Sequence, residues 1–81
     1  MKIKDHPTIV WASAVVISQG TKPHRVVLRH VPESHDPWVT HMENLKIVDA
    51  ETLEHESFYW GHYFEEKEHA EADFHARLKG T

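Results

Sequence analysis

Histidine is the residue type in this sequence that most directly suggests chemistry. The chain of 81 residues holds nine of them, at positions 6, 24, 30, 35, 41, 55, 62, 69 and 75, and it holds no cysteine. Neutral imidazole is a common metal ligand, and two ligands on one helix usually stand four residues apart so that both face the ion. His69 and His75 stand six positions apart, which separates them by about 120° around a helix. This spacing argues against a shared ion on that segment.

Histidines from different strands are the second route to a metal site. His30, His41 and His62 could meet around one ion if their strands present them on the same face of a sheet, but the sequence does not fix that register. We therefore expect no metal site and no cofactor. Metal binding remains the alternative, together with a pH response, because imidazoles titrate between about pH 5 and 8.

Covalent catalysis has little support in the sequence. Ser34, His35 and Asp36 have the residue types of a hydrolytic triad, but neighbours in sequence rarely have the required geometry. The chain has no cysteine nucleophile, no Gly-x-Ser-x-Gly motif and no glycine-rich phosphate loop. We expect that the protein is not an enzyme.

The charge is unevenly distributed along the chain. Residues 1–31 carry a net charge of +4, whereas residues 32–81 hold four basic and twelve acidic side chains, a net charge of −8. Binding to a phosphate backbone needs clustered cations, so we expect no direct contact with nucleic acid. Unpaired bases could stack on a set of aromatic side chains interleaved with Arg25 and Arg29, but packing within the sheet is the stronger interpretation. The set is Trp11, Trp38, Phe58, Tyr59, Trp60, Tyr63 and Phe64.

The acidic segment predicts a binding surface for a protein with a basic surface. Its alternative is a solvated face that keeps a small domain soluble. The residues that we expect to bind the partner lie at the start and along the exposed side of a predicted C-terminal helix: Glu65, Glu68, His69, Glu71 and His75.

Hydrophobic periodicity predicts four strands. Residues 8–18 are apolar on both alternating faces, residues 25–31 alternate, and residues 38–45 form a third strand that Ile47 and Val48 could extend. Residues 18–23 have turn composition, which predicts a hairpin between the first two strands. Residues 49–56 are acidic and polar, and we interpret them as a connecting loop in which Asp49 caps a short turn.

Residues 57–64 form the fourth predicted strand. Gly61 weakens a regular strand, which predicts a bulge or a close approach of another group at that position. Strict alternation would place these side chains on two faces, with Phe58, Trp60, His62 and Phe64 on one and Tyr59, Gly61 and Tyr63 on the other.

A helix is predicted for residues 65–79. Ala70, Phe74 and Leu78 recur every four residues as an apolar stripe, and Asp73 can pair with Arg77 one turn later. We predict a single α+β domain over residues 1–81, a four-stranded antiparallel sheet with one C-terminal helix packed on one face. The other face needs cover from loops, from a partner or from a second copy, so a homodimer is expected as one outcome.

The first residues resemble the outline of a secretion signal, with basic residues before the apolar run of residues 8–18. Asp5, His6 and Pro7 interrupt that outline. The apolar run is also shorter than the roughly 20 residues that a spanning helix requires. We interpret the run as a core strand and expect a cytoplasmic protein without a membrane partner.

The run Phe58-Tyr59-Trp60-Gly61-His62-Tyr63-Phe64, followed by Ala70-x-x-Asp73-Phe74-x-x-Arg77, resembles the strand-then-helix ending of small uncharacterised accessory proteins of bacteriophages and prophages. The resemblance assigns no site residues. It implies a non-enzymatic inhibitor that occludes a host enzyme or a defence protein, as anti-CRISPR proteins do. The alternatives are a histidine-based metal-binding or pH-responsive protein and a structural or assembly subunit.

Overall fold

The structure is a computed structural model that describes residues 2–14 and 23–80. These residues form a sheet of five strands and one helix: β1 (Lys2–Lys4), β2 (Ile9–Ala14), β3 (His24–His30), β4 (Trp38–Asp49), β5 (Thr52–Phe64) and α1 (Lys67–Gly80). The strand order is β1-β5-β4-β3-β2. β1 runs parallel to β5, and the other neighbouring strands are antiparallel. The predicted α+β class with a C-terminal helix is confirmed, but a sheet of four antiparallel strands is wrong.

The extra strand comes from the beginning of the chain. β1 is three residues long and pairs with Thr52–Glu54, inside the segment that was predicted to be a loop. β4 instead continues to Asp49, and β5 begins at Thr52 after a tight turn. The backbone N–H of Glu51 donates to Asp49 Oδ1 at 2.9 Å, so Asp49 stabilises a hairpin turn. The prediction of a loop over residues 49–56 is therefore wrong, because it was based on the acidic and polar composition of this segment.

The predicted first strand is confirmed in part. β2 covers Ile9–Ala14 and pairs antiparallel with β3, with a register shift between Ile9 and Trp11. The rest of the predicted strand, residues 15–18, and most of the predicted hairpin turn lie outside the described residues.

The apolar core lies between the sheet and α1. Its buried side chains come from β3, β4 and the helix: Val26, Leu28, Met42, Ala70 and Phe74. Leu78 packs at the margin of this cluster, so the predicted helix stripe is confirmed. Two of its three residues are buried because α1 lies across β3, β4 and β5.

A bulge in β5 changes which residues share a face. Thr40 pairs with His62 and Met42 pairs with Tyr59, so Trp60 and Gly61 together stand opposite His41. Trp60 takes a positive φ of 53°. The predicted bulge at Gly61 is confirmed, but the predicted alternation is wrong beyond it, because the extra residue reverses the pleat. Tyr59, His62 and Phe64 face α1, whereas Phe58 and Tyr63 contact His41 on the other face.

The chain itself covers part of the face opposite α1. β1 and β2 lie at the two edges of the sheet, so residues 5–8, the crossing segment, must pass over the strands between them. Asp5 accepts a hydrogen bond from Arg25 on β3, and the His6 ring lies 5.3 Å from the His55 ring on β5. The predicted need for cover is thus met in part by a segment within the same chain.

In the part of the chain that the structure describes, no helix has the length and apolar character needed to cross a membrane.

Candidate functional site

The residues predicted to bind a partner lie together on or next to α1. Glu65 precedes the helix, which begins at Lys67, and the other four lie within it. Glu65, Glu68, His69 and His75 are exposed, and Glu71 is half-buried. We call this set of five residues the outer helix surface. Helix periodicity predicts that Glu65, Glu68 and His69 lie opposite the apolar stripe, and these three residues are exposed.

The outer helix surface makes few contacts with the rest of the protein. Glu71 lies 3.7 Å from Lys67, and His69 Nε2 lies 3.7 Å from Glu66 Oε2. Among the interactions of the described residues, the Glu68 side chain forms neither an ion pair nor a hydrogen bond. These charges are therefore free of a structural role in attaching α1 to the sheet.

His75 contacts a strand of the sheet, because its ring lies against β2. Its ring meets the Trp11 ring edge-on at 5.4 Å, and Trp11 also stacks on Phe74 at 5.6 Å. Trp11 remains partly exposed. An acidic surface with an aromatic margin results.

Asp73 fixes the position of α1 on the sheet. Its Oδ2 accepts hydrogen bonds from Thr40 Oγ1, from His62 Nδ1 at 3.0 Å and from Arg77 Nε at 3.1 Å. Arg77 also donates to the Trp60 carbonyl at 2.6 Å. Partial burial would raise the pKa of Asp73, but these three hydrogen bonds outweigh it and the pKa is lowered. The predicted pair between Asp73 and Arg77 is confirmed.

A second group of charges is buried on the face opposite α1. Glu43 is 0% exposed and accepts hydrogen bonds from Arg25 Nε and from His55 Nδ1, the latter at 2.7 Å. Arg25 also donates to Asp5 in the crossing segment. We call Asp5, Arg25, Glu43 and His55 the buried charge cluster, in which Arg25 and Glu43 are buried, His55 is half-buried and Asp5 is exposed at the margin. Burial alone would lower the pKa of Arg25, but its hydrogen bonds to Glu43 and Asp5 outweigh burial and raise it.

His55 is the member of this cluster that could take part in chemistry. A carboxylate that accepts a hydrogen bond from the Nδ1–H group orients the imidazole and leaves Nε2 available to accept a proton, as in a general base. Its remaining ring contacts are with His6 and Phe58, at 5.3 and 4.4 Å. These ring contacts attach the crossing segment to β5.

His41 lies beside this cluster as a neutral, buried ring. It is 6% exposed, stacks on Phe58 at 4.6 Å and accepts a hydrogen bond from Arg29 Nη1 at 3.4 Å. Its Nδ1 is buried without a hydrogen-bond partner among the described residues. Burial, followed by the positive charges of Arg29 and Arg77 and by His55, lowers the pKa of His41 to about 4.

The cross-strand metal site considered from the sequence does not form. His30 stacks on Trp38, and His62 binds Asp73, so both lie on the side of the sheet that faces α1. His41 points to the other face, where it contacts Phe58. Alternating strand geometry therefore separates His41 from His30 and His62.

A different group of potential ligands does come together. His35 Nδ1 lies 3.5 Å from Asp36 Oδ1 and 3.8 Å from Glu65 Oε1. The sequence suggested His35 and Asp36 as parts of a triad and Glu65 as a partner-binding residue, but no local pattern connects them. The pairing of Trp38 with Phe64 brings the start of β4 beside the end of β5, and this places the three residues together.

Aromatic exposure also differs from the expectation that these rings pack within the sheet. Trp60 is 74% exposed, and Tyr63 is also exposed. Both lie on β5 beyond Glu54, where the described residues provide no strand on its outer edge.

Comparisons of this chain with protein-family models, with curated proteins and with solved structures find no match. The resemblance to phage accessory proteins therefore stays a prediction.

Proposed function

We propose that the protein is a non-enzymatic binding protein whose outer helix surface docks on a basic surface of another protein. The observation that carries this proposal is the separation of roles on α1. Ala70, Phe74 and Asp73 attach the helix to the sheet, whereas Glu65, Glu68 and His69 point to solvent.

The charge of this region supports a basic partner. Glu65, Glu66 and Glu68 are exposed within four consecutive positions. The cation of Arg77 is engaged by Asp73 and by the Trp60 carbonyl, on the side of α1 that faces the sheet. Complementary charge accelerates association and favours the correct partner, and exposed charges contribute more to this than to folding stability.

The shape of the helix also favours docking. Ala72 and Ala76 are exposed on the same side as the acidic residues, and small side chains let a partner approach the helix closely. Trp11 and His75 add an aromatic margin at one flank. Aromatic side chains are enriched in the regions of protein interfaces that contribute most affinity.

A binding role agrees with the use of the polar residues on the opposite face. The buried charge cluster connects β3, β4, β5 and the crossing segment, so its charged groups are engaged in holding strands. On the resemblance to phage accessory proteins, we propose that the partner is a host enzyme or a defence protein that is inhibited by occlusion.

Charge reversal on the helix tests the proposal. Tagged wild-type protein, the Glu65→Lys/Glu68→Lys variant and the control Glu51→Lys, which changes charge in the β4–β5 turn, are used to capture partners from bacterial host lysate. We expect one basic partner to be retained by the wild type and the control, to be lost by the helix variant and to dissociate in high salt. Equal capture by all three proteins would reject this surface.

An assembly subunit is the alternative, and the exposed Trp60 and Tyr63 favour it. Mass in solution measured across dilution distinguishes the two. A dimer that persists on dilution and is lost in Trp60→Ser would identify these aromatic residues as a self-association surface.

A further inference from the structure

The group formed by His35, Asp36 and Glu65 has the spacing of a metal site. One potential ligand atom from each residue lies within 4.8 Å of the others. The separations of 3.5 and 3.8 Å from His35 Nδ1 to the two carboxylates exceed the roughly 2.7–3.2 Å of a hydrogen bond. Two ligands at about 2.0–2.1 Å from a tetrahedral zinc ion are about 3.3 Å apart. The imidazole thus lies at nearly the separation that a shared ion requires.

The backbone brings these residues together from two elements. The backbone N–H of Val31 donates to the Pro37 carbonyl at 2.7 Å, which closes the loop that carries His35 and Asp36. Immediately after the loop, Trp38 pairs with Phe64, the residue before Glu65. The side chains of His35 and Glu65 are exposed and that of Asp36 is half-buried, and the sheet sets the backbone positions from which all three project.

We propose that His35, Asp36 and Glu65 bind a divalent transition-metal ion, with zinc as the ion that the ligand set fits best. One imidazole nitrogen and two carboxylate oxygens suit zinc, cobalt or manganese, and manganese binds such sites most weakly. The imidazole separates this group from a purely acidic cluster, which would favour calcium or magnesium. Three protein ligands leave at least one position for water or for a group from a partner.

Charge balance supports the binding of a dication. Two carboxylates and a neutral imidazole compensate the charge of the ion. The N-terminal end of α1 nearby carries a partial positive charge that opposes a cation. Affinity should therefore depend on both carboxylates, and removal of either one should be as harmful as removal of the imidazole.

Calorimetric titration of zinc chloride into the untagged full chain at neutral pH tests the site. We expect one ion per chain, with affinity lowered about tenfold or more in each of His35→Ala, Asp36→Asn and Glu65→Gln. The matched controls are His69→Ala and Glu66→Gln, which remove a histidine–carboxylate pair with a similar separation of 3.7 Å but with a single carboxylate. Both controls should bind zinc within about twofold of the wild type.

A second measurement locates the ion without any substitution. Manganese added to the wild-type protein should broaden the amide NMR signals of residues 35, 36 and 65 before those of other regions. The proposal is overturned if no ion binds, if His35→Ala binds as tightly as the wild type, or if broadening centres on other histidines. Glu68→Lys separates this site from the partner surface, because it should weaken partner capture and leave zinc affinity unchanged.

Discussion

Gly61 lies directly against the imidazole ring of His41. A Cβ atom added to Gly61 would stand 2.7 Å from His41 Cε1 and 3.0 Å from His41 Nδ1. The bulge in β5 places Gly61 opposite His41, so the absence of a side chain at position 61 is what allows the ring to stay buried between the strands. The bulge therefore makes space for the His41 ring and also interrupts the regular alternation of side chains along β5.

Gly61→Ala should therefore destabilise the protein. The new methyl group would overlap His41 and would also approach the Tyr63 hydroxyl, 3.2 Å from the Cβ position. Overpacking of this kind costs about 1–3 kcal/mol. The free energy of unfolding from urea denaturation measures the loss.

The double variant Gly61→Ala/His41→Ala provides the control. Because the overlap needs both side chains, Gly61→Ala should cost less in the His41→Ala background than in the wild type. An equal cost in the two backgrounds would show that the effect comes from the backbone and not from the ring.

The same bulge shows where sequence reasoning fails. Glycine in an aromatic strand predicted an irregularity, and this was correct, but a regular two-residue alternation was still applied across it. One extra residue moves every later side chain to the opposite face. Tyr59 and His62 therefore face α1 together, although their spacing of three positions placed them on different faces.

Local patterns predicted the elements that have strong periodicity. The stripe of Ala70, Phe74 and Leu78 predicted the helix and its buried side, and the alternation of Val26 and Leu28 predicted β3. β1 is too short to show a period, and its parallel pairing with β5 joins residues about fifty positions apart. Such pairing depends on tertiary contacts that no local pattern contains.

The candidate sites also differ in whether a local pattern could predict them or whether they depend on the pairing of distant strands. Exposure of the outer helix surface follows from helix periodicity within one segment. The buried charge cluster needs Arg25, Glu43 and His55 to be aligned across three strands. The group of His35 and Glu65 needs the register between β4 and β5. Both of these depend on strand register, which a single sequence leaves open.

Glu43 provides the second prediction. It is fully buried and joins Arg25 to His55, so Glu43→Leu would leave a buried guanidinium with Asp5 as its remaining partner. Removal of one member of a buried ion pair costs about 3–5 kcal/mol. Urea denaturation should show a loss of this size, whereas Glu51→Gln in the exposed β4–β5 turn should change stability by less than about 0.5 kcal/mol.

The double variant Arg25→Met/Glu43→Leu tests whether the loss comes from an unpaired charge. Because an apolar pair can replace a buried ion pair at little cost, the double variant should be more stable than Glu43→Leu alone. If it is less stable, Arg25 contributes to stability without Glu43, through its hydrogen bond to Asp5, and an unpaired charge is not the source of the loss.

Asp73 provides the third prediction. Its lowered pKa means that its contribution to stability is present above the ordinary carboxyl pKa of about 4 and is lost as the pH falls below it. Asp73→Asn removes the charge that accepts hydrogen bonds from His62 and Arg77. At pH 5.5 we expect the free energy of unfolding of the variant, measured by urea denaturation, to be lower than that of the wild type by about 1–3 kcal/mol.

The pH dependence distinguishes this charge effect from a packing effect. The difference in unfolding free energy between the wild type and Asp73→Asn should shrink as the pH is lowered from 5.5 to 3, because the wild-type carboxyl becomes neutral. Glu68→Gln, at an exposed position of the same helix, should show no such convergence. A gap that stays constant with pH would contradict the role of the Asp73 charge.

His41 predicts a separate loss of stability in mild acid. Its pKa is lowered to about 4 by burial and by nearby Arg29, Arg77 and His55, so between about pH 6.5 and 4 the unfolded chain binds a proton that the folded protein does not. Stability therefore falls as the pH decreases through this window, by about 1–3 kcal/mol from this residue. His6, whose pKa is lowered chiefly by burial, acts in the same direction. Urea denaturation from pH 7 to 4 should show a shallower decline in the free energy of unfolding for His41→Gln than for the wild type. The control His69→Gln, which alters an exposed ring, should keep the wild-type slope. Identical slopes in all three proteins would show that neutral His41 is not the source of the decline.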